Sequence, residues 1–457
     1  MNLLRSIVLP GLCALALAGC GGSSDSSPPP AAVPGTVVTV AQMNTEDLNT
    51  ILFQAKVGDI ITLPAGKYTM NGPLMLNVDN VTIAGAGNGT DPAKDTILSF
   101  KGAATRDGIQ VANVAGVTLT KFAVEDAVGN GIFINKSTNV VMDTVRAEWT
   151  TDPVHTSEMA YGLYPVACDN VLVTNSKAIG TRDAGVYVGQ SQNIRVVGND
   201  VYYNVAGVEI ENSHNAIVEN NNVHENTGGI LVFALPGTYR FADNNGTIVR
   251  NNTIVNNNLP VADNATGFVR AVPPGTGVMV LTAQNTEVTG NTITNHKTTG
   301  ILAISFQSTQ IAYDPSTYDP YLRGFYAHAN TVSDFGSAPG GAFADAPLNA
   351  IVGGLFAQLT GNGLPARFPA VIWDGIVDPA TGSGVGGNGQ GGTYAGNLQI
   401  CSKGNTTDLP NIAGVISYEN MDLDLLALLG GTSAAPIFPF PPRMACTITL
   451  PTVTGQP

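Results

Sequence analysis

The chain has 457 residues and a formal net charge of −14, from 20 Lys and Arg against 34 Asp and Glu. That balance excludes nucleic acid and any broad basic grip on an anionic polymer, although a local basic cleft would survive it. A hydrophobic content of 44%, strongly periodic, excludes a disordered chain, and 12% charge with 53 Gly is unlike a helical protein.

Residues 1–19 read as a signal peptide and are set aside from the fold. Arg5 supplies the positive start and Ile7 to Ala18 the short apolar core. Leu17-Ala-Gly-Cys20 resembles the lipobox of a bacterial lipoprotein; the plainer reading is a secretory signal with an unrelated cysteine. The resemblance implies cleavage before Cys20 and lipidation of its sulfur. With Gly21 next, rather than Asp, it implies an outer-membrane lipoprotein of the cell envelope, facing the periplasm or the surface. Acyl chains anchor by about 0.8 kcal/mol per buried methylene. Residues 20–35 then give the lipidated cysteine and a flexible Ser/Pro/Gly tether. No later stretch is long and apolar enough to span a bilayer.

Asn44 and Asp47 cap a short predicted helix with Leu48, Ile51, Leu52 and Ala55 on one face. Val57 to Thr69 follows and resembles the first coil of right-handed parallel β-helix proteins of the polysaccharide-lyase type, where a helix plugs the open end of the stack. A repeated phrase begins at Gly108: a glycine, a branched aliphatic, any residue, another aliphatic. It returns at Gly131, Gly185, Gly207, Gly229, Gly277 and Gly300, with a poorer copy at Gly162. Gaps of 23, 31, 23, 22, 22, 48 and 23 residues separate these glycines. A period near 22 that opens on a strand predicts an all-β, parallel β-helix solenoid, with the aliphatic pair of each strand turned inward.

Two sets of asparagines share the period. Asn139, Asn170, Asn193, Asn215 and Asn285 follow their glycines by eight residues; Asn175, Asn199, Asn220, Asn221 and Asn291 follow later. Stacked amides bond to one another and tolerate sharp corners, so a turn ladder is expected here rather than glycan contact. The 31-residue gap holds an insertion around Trp149 to Tyr161. The 48-residue gap reads as two coils' worth of chain with insertions at about Phe233 to Gly246 and Asn258 to Gly275. Loops on both sides of one strand face would make a groove. Beyond Ser308 the period fades, so residues 36–310 are assigned to the β-helix and 311–457 to an irregular C-terminal cap region. Within that region a short helix is expected in Ala342 to Gly361 and a strand in Arg367 to Gly375. Cys401 and Cys446 both lie there and are expected to pair, whereas Cys168 sits among strand residues as a buried small hydrophobe.

The chemistry concentrates on the middle coils. Tyr164, Tyr187 and Glu209 each sit two residues past their glycines and should form one column, neighbours about 4.8 Å apart. With Asp183 and Glu211 they are the candidate ligand-binding residues; aromatic faces suit sugar rings, and the bland reading is that tyrosines merely cover the sheet. Glu209 and Glu211 could flank a calcium ion, or one could act as a general base, or both could be a solvated acidic edge. Asp152 and His155 in the inserted loop, with Arg182 and Tyr187, are the candidate catalytic residues.

Gly207 to Ser213 and Gly228 to Phe233 resemble right-handed parallel β-helix repeat proteins of the bacterial envelope; with the lipobox and Trp373-Asp-Gly375 the chain resembles a lipoprotein group of that superfamily. Two enzyme families with this fold invite comparison. Calcium-dependent alginate and chondroitin lyases carry a Glu-x-Glu pair like Glu209 and Glu211, plus a lysine base. Here the next basic residue after Glu211 is Arg240, and no lysine follows before Lys297. Mannuronan epimerases carry Asp-Pro-His, which Val154 interrupts here. The expectation is therefore an envelope-anchored protein that binds a polysaccharide or a partner protein on the glycine-strand face. The alternative is a lyase or C5-epimerase acting on a uronic-acid polymer, with an adhesin a third reading. The oligomeric state stays open.

Overall fold

Aliphatic residues two apart on a strand point to one side, so repeating them every turn of the chain builds a continuous interior. A computed structural model describes residues 35–457 apart from 105, 238, 346, 386–389, 414–415, 424, 426–442 and 456. The lipobox, Cys20 and most of the tether lie outside the described residues. Among the described residues no helix is long and apolar enough to cross a membrane.

One parallel sheet contains eleven strands, laid down in chain order from Leu74–Leu76 to Asn420–Asp422. Its middle members are Gly129–Asn135, Met159–Val166, Ala184–Gly189, Ala206–Glu211 and Gly228–Phe233. A second, 21-stranded sheet supplies the other walls of each coil. Strands such as Gln192–Val197 and Asp200–Tyr202 pair only with their counterparts one coil away, as Val196 with Val218 and Val201 with Val223. The result is a right-handed parallel β-helix. Ile132, Leu163, Val186, Val208 and Ile230 stack inside it, each fully buried. The helix Thr45–Gln54 precedes the stack; Asn44 caps it by accepting from the Asp47 N–H at 2.9 Å, and Leu48 and Leu52 are buried in the core.

The recurring glycine has a packing cause. A Cβ on Gly131 would stand 2.7 Å from the Gly162 carbonyl oxygen, and one on Gly207 2.6 Å from that of Gly229. These two glycines thus make room for the backbone of the next coil.

The asparagines form ladders, as expected, but the second set divides in two. Asn139, Asn170, Asn193, Asn215 and Asn285 take left-handed backbone at the corners, and so do Asn175 and Asn220. Asn199, Asn221 and Asn291 are instead buried and belong to a chain of amides, Asn199–Asn221–Asn252–Asn291–Asn330–Asn405, joined at 2.8 to 2.9 Å. A parallel ladder, Asn204–Asn226–Asn257, ends on His296.

Two sequence boundaries move. Gly228–Phe233 pairs directly with Thr276–Leu281, so the 48-residue gap is one enlarged coil rather than two. The stack also runs well past residue 310: Arg323–His328, Val371–Trp373, Ile400–Ser402 and Asn420–Asp422 all extend the two sheets. Long insertions between these strands dilute the period, which is why the repeat fades from view. The helix Leu348–Gly361 lies in one such insertion. Cys401 and Cys446 are bonded, and Cys168 is free and buried.

Candidate functional site

Register decides which side chains share the outer face of the eleven-stranded sheet. Gln110 pairs with Phe133, Phe133 with Tyr164, Tyr187 with Glu209, Glu209 with Leu231, and Leu231 with Met279. The expected single file is therefore present, and the Tyr164 and Tyr187 rings meet edge-on at 5.0 Å. The face is not an open wall, however. From Leu231 onward it is apolar and covered by later insertions, where Phe233 packs on Phe268 at 5.4 Å and Phe268 on Phe306 at 6.0 Å. What remains is the shorter stretch from Phe133 to Glu211.

That stretch is walled on both sides, as the two insertions suggested. At the strand starts, Asn264 donates to the Ser157 carbonyl at 2.8 Å, and Arg182 donates to the Asn264 carbonyl at 3.2 Å. At the strand ends, Arg240 reaches Asp169 at 2.7 Å, and the Phe241 N–H donates to Gln190 at 3.4 Å. Between these walls stands a rack of rings. Tyr161 stacks on Tyr164 at 4.3 Å, Tyr164 meets Phe133 at 5.1 Å, and Tyr161 meets Tyr187 at 5.1 Å. Tyr161, Tyr164 and Phe133 are half-buried, whereas Tyr187 is buried beneath them.

Three carboxyls lie behind the rings. Glu209 is 2% exposed, Asp183 5% and Glu211 8%, so they are no solvated edge. Tyr161 donates to Asp183, and Tyr187 donates to Glu211. Gly189 permits the second bond: a Cβ there would stand 2.3 Å from the Tyr187 hydroxyl. Glu209 and Glu211 lie two residues apart on one strand, and each bears on the other's ionisation. Burial, with Glu211 and Asp183 close by, pushes Glu209 well above the usual carboxyl range. Burial also raises Glu211, against the pull of the Tyr187 bond. Asp183 is pushed up to about 8 by burial; the Tyr161 bond and Arg182 oppose this and Glu211 adds to it. Glu209 Oε2 is buried without a hydrogen-bond partner.

The phenols move the same way. Burial, then Glu211, Asp183 and Glu209, pushes Tyr164 up to about 12, and burial raises Tyr161 and Tyr187 further. None of the three is set up as a base near neutral pH.

The structure thus gathers Tyr164, Asp183, Tyr187, Glu209 and Glu211. Arg182 stands beside Asp183 with its guanidinium directed to the Glu158 and Asn264 carbonyls. Asp152 and His155 pair with each other at 2.7 Å on the exposed loop, with side chains 50% and 72% exposed, and make no part of the buried network. Two members were missed from sequence. Tyr161 sits one residue before its glycine, a column shared with Asp107 and Asn130. Tyr239 comes from the insertion after Gly228–Phe233, and Glu211 and Glu209 raise its phenol in addition to burial. For calcium, about six to eight oxygens are needed; among the described residues no three His, Cys, Asp or Glu gather to hold a metal ion.

The family described as "Right handed beta helix region" matches residues 75–245 and 149–314. No curated protein matches. Among solved structures, the A-module of the Azotobacter vinelandii mannuronan C-5 epimerase AlgE4 is 15% identical. It covers 86% of this chain and 98% of its own, with a TM-score of 0.45. An alginate lyase from Paenibacillus sp. is 16% identical over 65% of this chain and 95% of its own, at 0.41. A DFA-IIIase from Arthrobacter chlorophenolicus is 13% identical over 84% of this chain and 97% of its own, at 0.39. These are likenesses of fold.

Proposed function

The chain belongs to the right-handed β-helix family, and on that premise we propose that it binds a glycan against Tyr161, Tyr164 and Phe133, within the bacterial cell envelope. The observation that carries the reading is the rack of half-buried rings with hydrogen-bonding groups directly behind it. Ring faces take the apolar side of a sugar, and fixed polar groups take its hydroxyls. A neutral glycan suits this site better than a uronic-acid polymer. The cluster adds carboxyls, and its nearest cation, Arg182, is engaged with backbone carbonyls. A lipid on Cys20 would hold the protein at the membrane, a reading that rests on Leu17 to Cys20 alone.

A second reading is favoured by Glu209, whose buried Oε2 has no hydrogen-bond partner and whose carboxyl is pushed by burial well above its usual range. Such a group can donate a proton to a glycosidic oxygen as a general acid. The lyase or epimerase alternative needs a base. His155 stands exposed beside Asp152, and Tyr187 holds its proton strongly.

The test is retention of the full chain on dextran, β-glucan, galactan, alginate, pectate and chondroitin, with reducing ends and unsaturated uronate followed in the same mixtures. Retention on a neutral glycan, weakened about tenfold by Tyr164→Ala, is expected, since a lost ring contact is worth roughly 1 to 1.5 kcal/mol. New reducing ends that vanish in Glu209→Gln would add the catalytic reading. Retention that Tyr164→Ala leaves untouched, or none at all, would remove the binding one.

A further inference from the structure

We propose a second saccharide-binding cavity on the flank of the solenoid, where the segment containing Tyr313, Tyr318 and Tyr321 folds over the start of strand Gln284–Thr289. The inference uses other residues on later coils and does not depend on the Tyr164 face. The cavity is a broad depression open to solvent, of about 550 Å³, and its walls include the three tyrosines with Asp243, Gln284 and Arg323. Small-molecule sites commonly span roughly 300 to 1,000 Å³.

Tyr318 is fixed in place: its phenol donates to the Ala234 carbonyl at 2.5 Å, and it is 5% exposed. Tyr313 meets it edge-on at 5.7 Å, and Tyr313 and Tyr321 are only partly buried. Ring surface is therefore presented on a rigid base.

Each charged group of the wall has a partner within the protein. His214 Nε2 lies 2.7 Å from Asp243, while Arg323 lies 2.6 Å from Asp378 and also bonds Asp319. The Arg323 guanidinium is further held 5.5 Å from the centre of the Tyr321 ring. A cationic ligand finds no unpaired carboxylate among these three acids, and an anionic one finds its guanidinium already taken. Remaining are planar groups in fixed positions, the Gln284 amide, and exposed ring faces. That set suits a neutral, hydroxyl-rich ring, which offers donors to carboxylate oxygens, acceptors to N–H groups, and C–H faces to tyrosine.

The loop after Gly228–Phe233 separates this cavity from the Tyr164 face. Tyr239 lies near Glu209 and Glu211, Phe241 stacks on His214 at 4.1 Å, and Asp243 enters the flank wall. Two sugar sites on either side of one loop would let a single polymer engage the protein twice.

The experiment is calorimetric titration of the full chain with maltohexaose, cellohexaose and a β-1,4-linked galactohexaose, and with hexagalacturonate as the anionic probe. Variants are Tyr321→Ala and Gln284→Ala on the flank and Tyr164→Ala on the face, each checked for an unchanged melting profile. At least one neutral hexasaccharide is expected to bind, with affinity reduced about tenfold by either flank variant, a loss of about 1.4 kcal/mol. Loss confined to Tyr164→Ala would overturn the flank cavity and leave the face standing. Loss confined to the flank variants would do the reverse. Binding to none of the three neutral sugars, or stronger binding to hexagalacturonate, would also overturn it.

Discussion

Asp183 keeps its proton to about pH 8 because burial withholds the water that would solvate its charge. The consequence for stability has a definite sign. Below the unfolded value of about 4, both states are protonated and nothing is lost. As pH rises toward the folded value, the unfolded chain ionises while the folded one resists, so stability falls across that window by an amount on the order of a few kcal/mol. Asp183→Asn removes the ionisation and still offers Tyr161 an acceptor. Its melting temperature should exceed that of the parent by a few degrees at about pH 8, and the difference should shrink away at about pH 4. Equal differences at both pH values would show that burial is not the cause. The alignment of Tyr164, Tyr187 and Glu209 was legible in sequence, because each stands two residues past a repeated glycine. Tyr161 was not, because the pairing of its strand begins before the glycine, at Met159.

At the scale of the element, a buried ladder of amides ties each coil to the next. Asn226 accepts from both the N–H and the side chain of Asn204, each at 2.9 Å. It donates to Asn257 at 2.8 Å and to the Val201 and His224 carbonyls at 3.1 Å. Asn226→Ala strips partners from several buried groups at once, and each unsatisfied group costs roughly 1 to 3 kcal/mol. Chemical denaturation should show a loss of at least about 3 kcal/mol, far beyond that of Asn139→Ala on the exposed corner. Comparable effects at the two positions would contradict the buried ladder. The ladder ends on His296, fully buried and held neutral, its value lowered to about 3 by burial. Sequence showed that asparagines recur. It did not separate corner amides from buried ones, since both sets keep the period and differ only in which way the backbone turns them.

Over the whole molecule, the C-terminal coils rely on a covalent tie. Cys401 sits on a strand of the second sheet and Cys446 follows 45 residues later. Closing a loop of that length contributes about 3 to 4 kcal/mol in the chain-entropy account. Cys446→Ser should therefore lower the melting temperature, with faster amide exchange confined to the strands after Arg323, because a solenoid transmits stability only between neighbours. Uniformly faster exchange from the first coil onward would argue against that. The 22-residue period was sufficient to specify a parallel β-helix, its inward aliphatics and its vertical columns, because those depend on spacing along one strand and its nearest copies. Which part of the outer face stays accessible, and that Glu209 and Glu211 are enclosed, was decided only by tertiary structure. The covering loops come from segments without the repeat, and burial is a property of what folds over a residue rather than of the residue's place in the pattern.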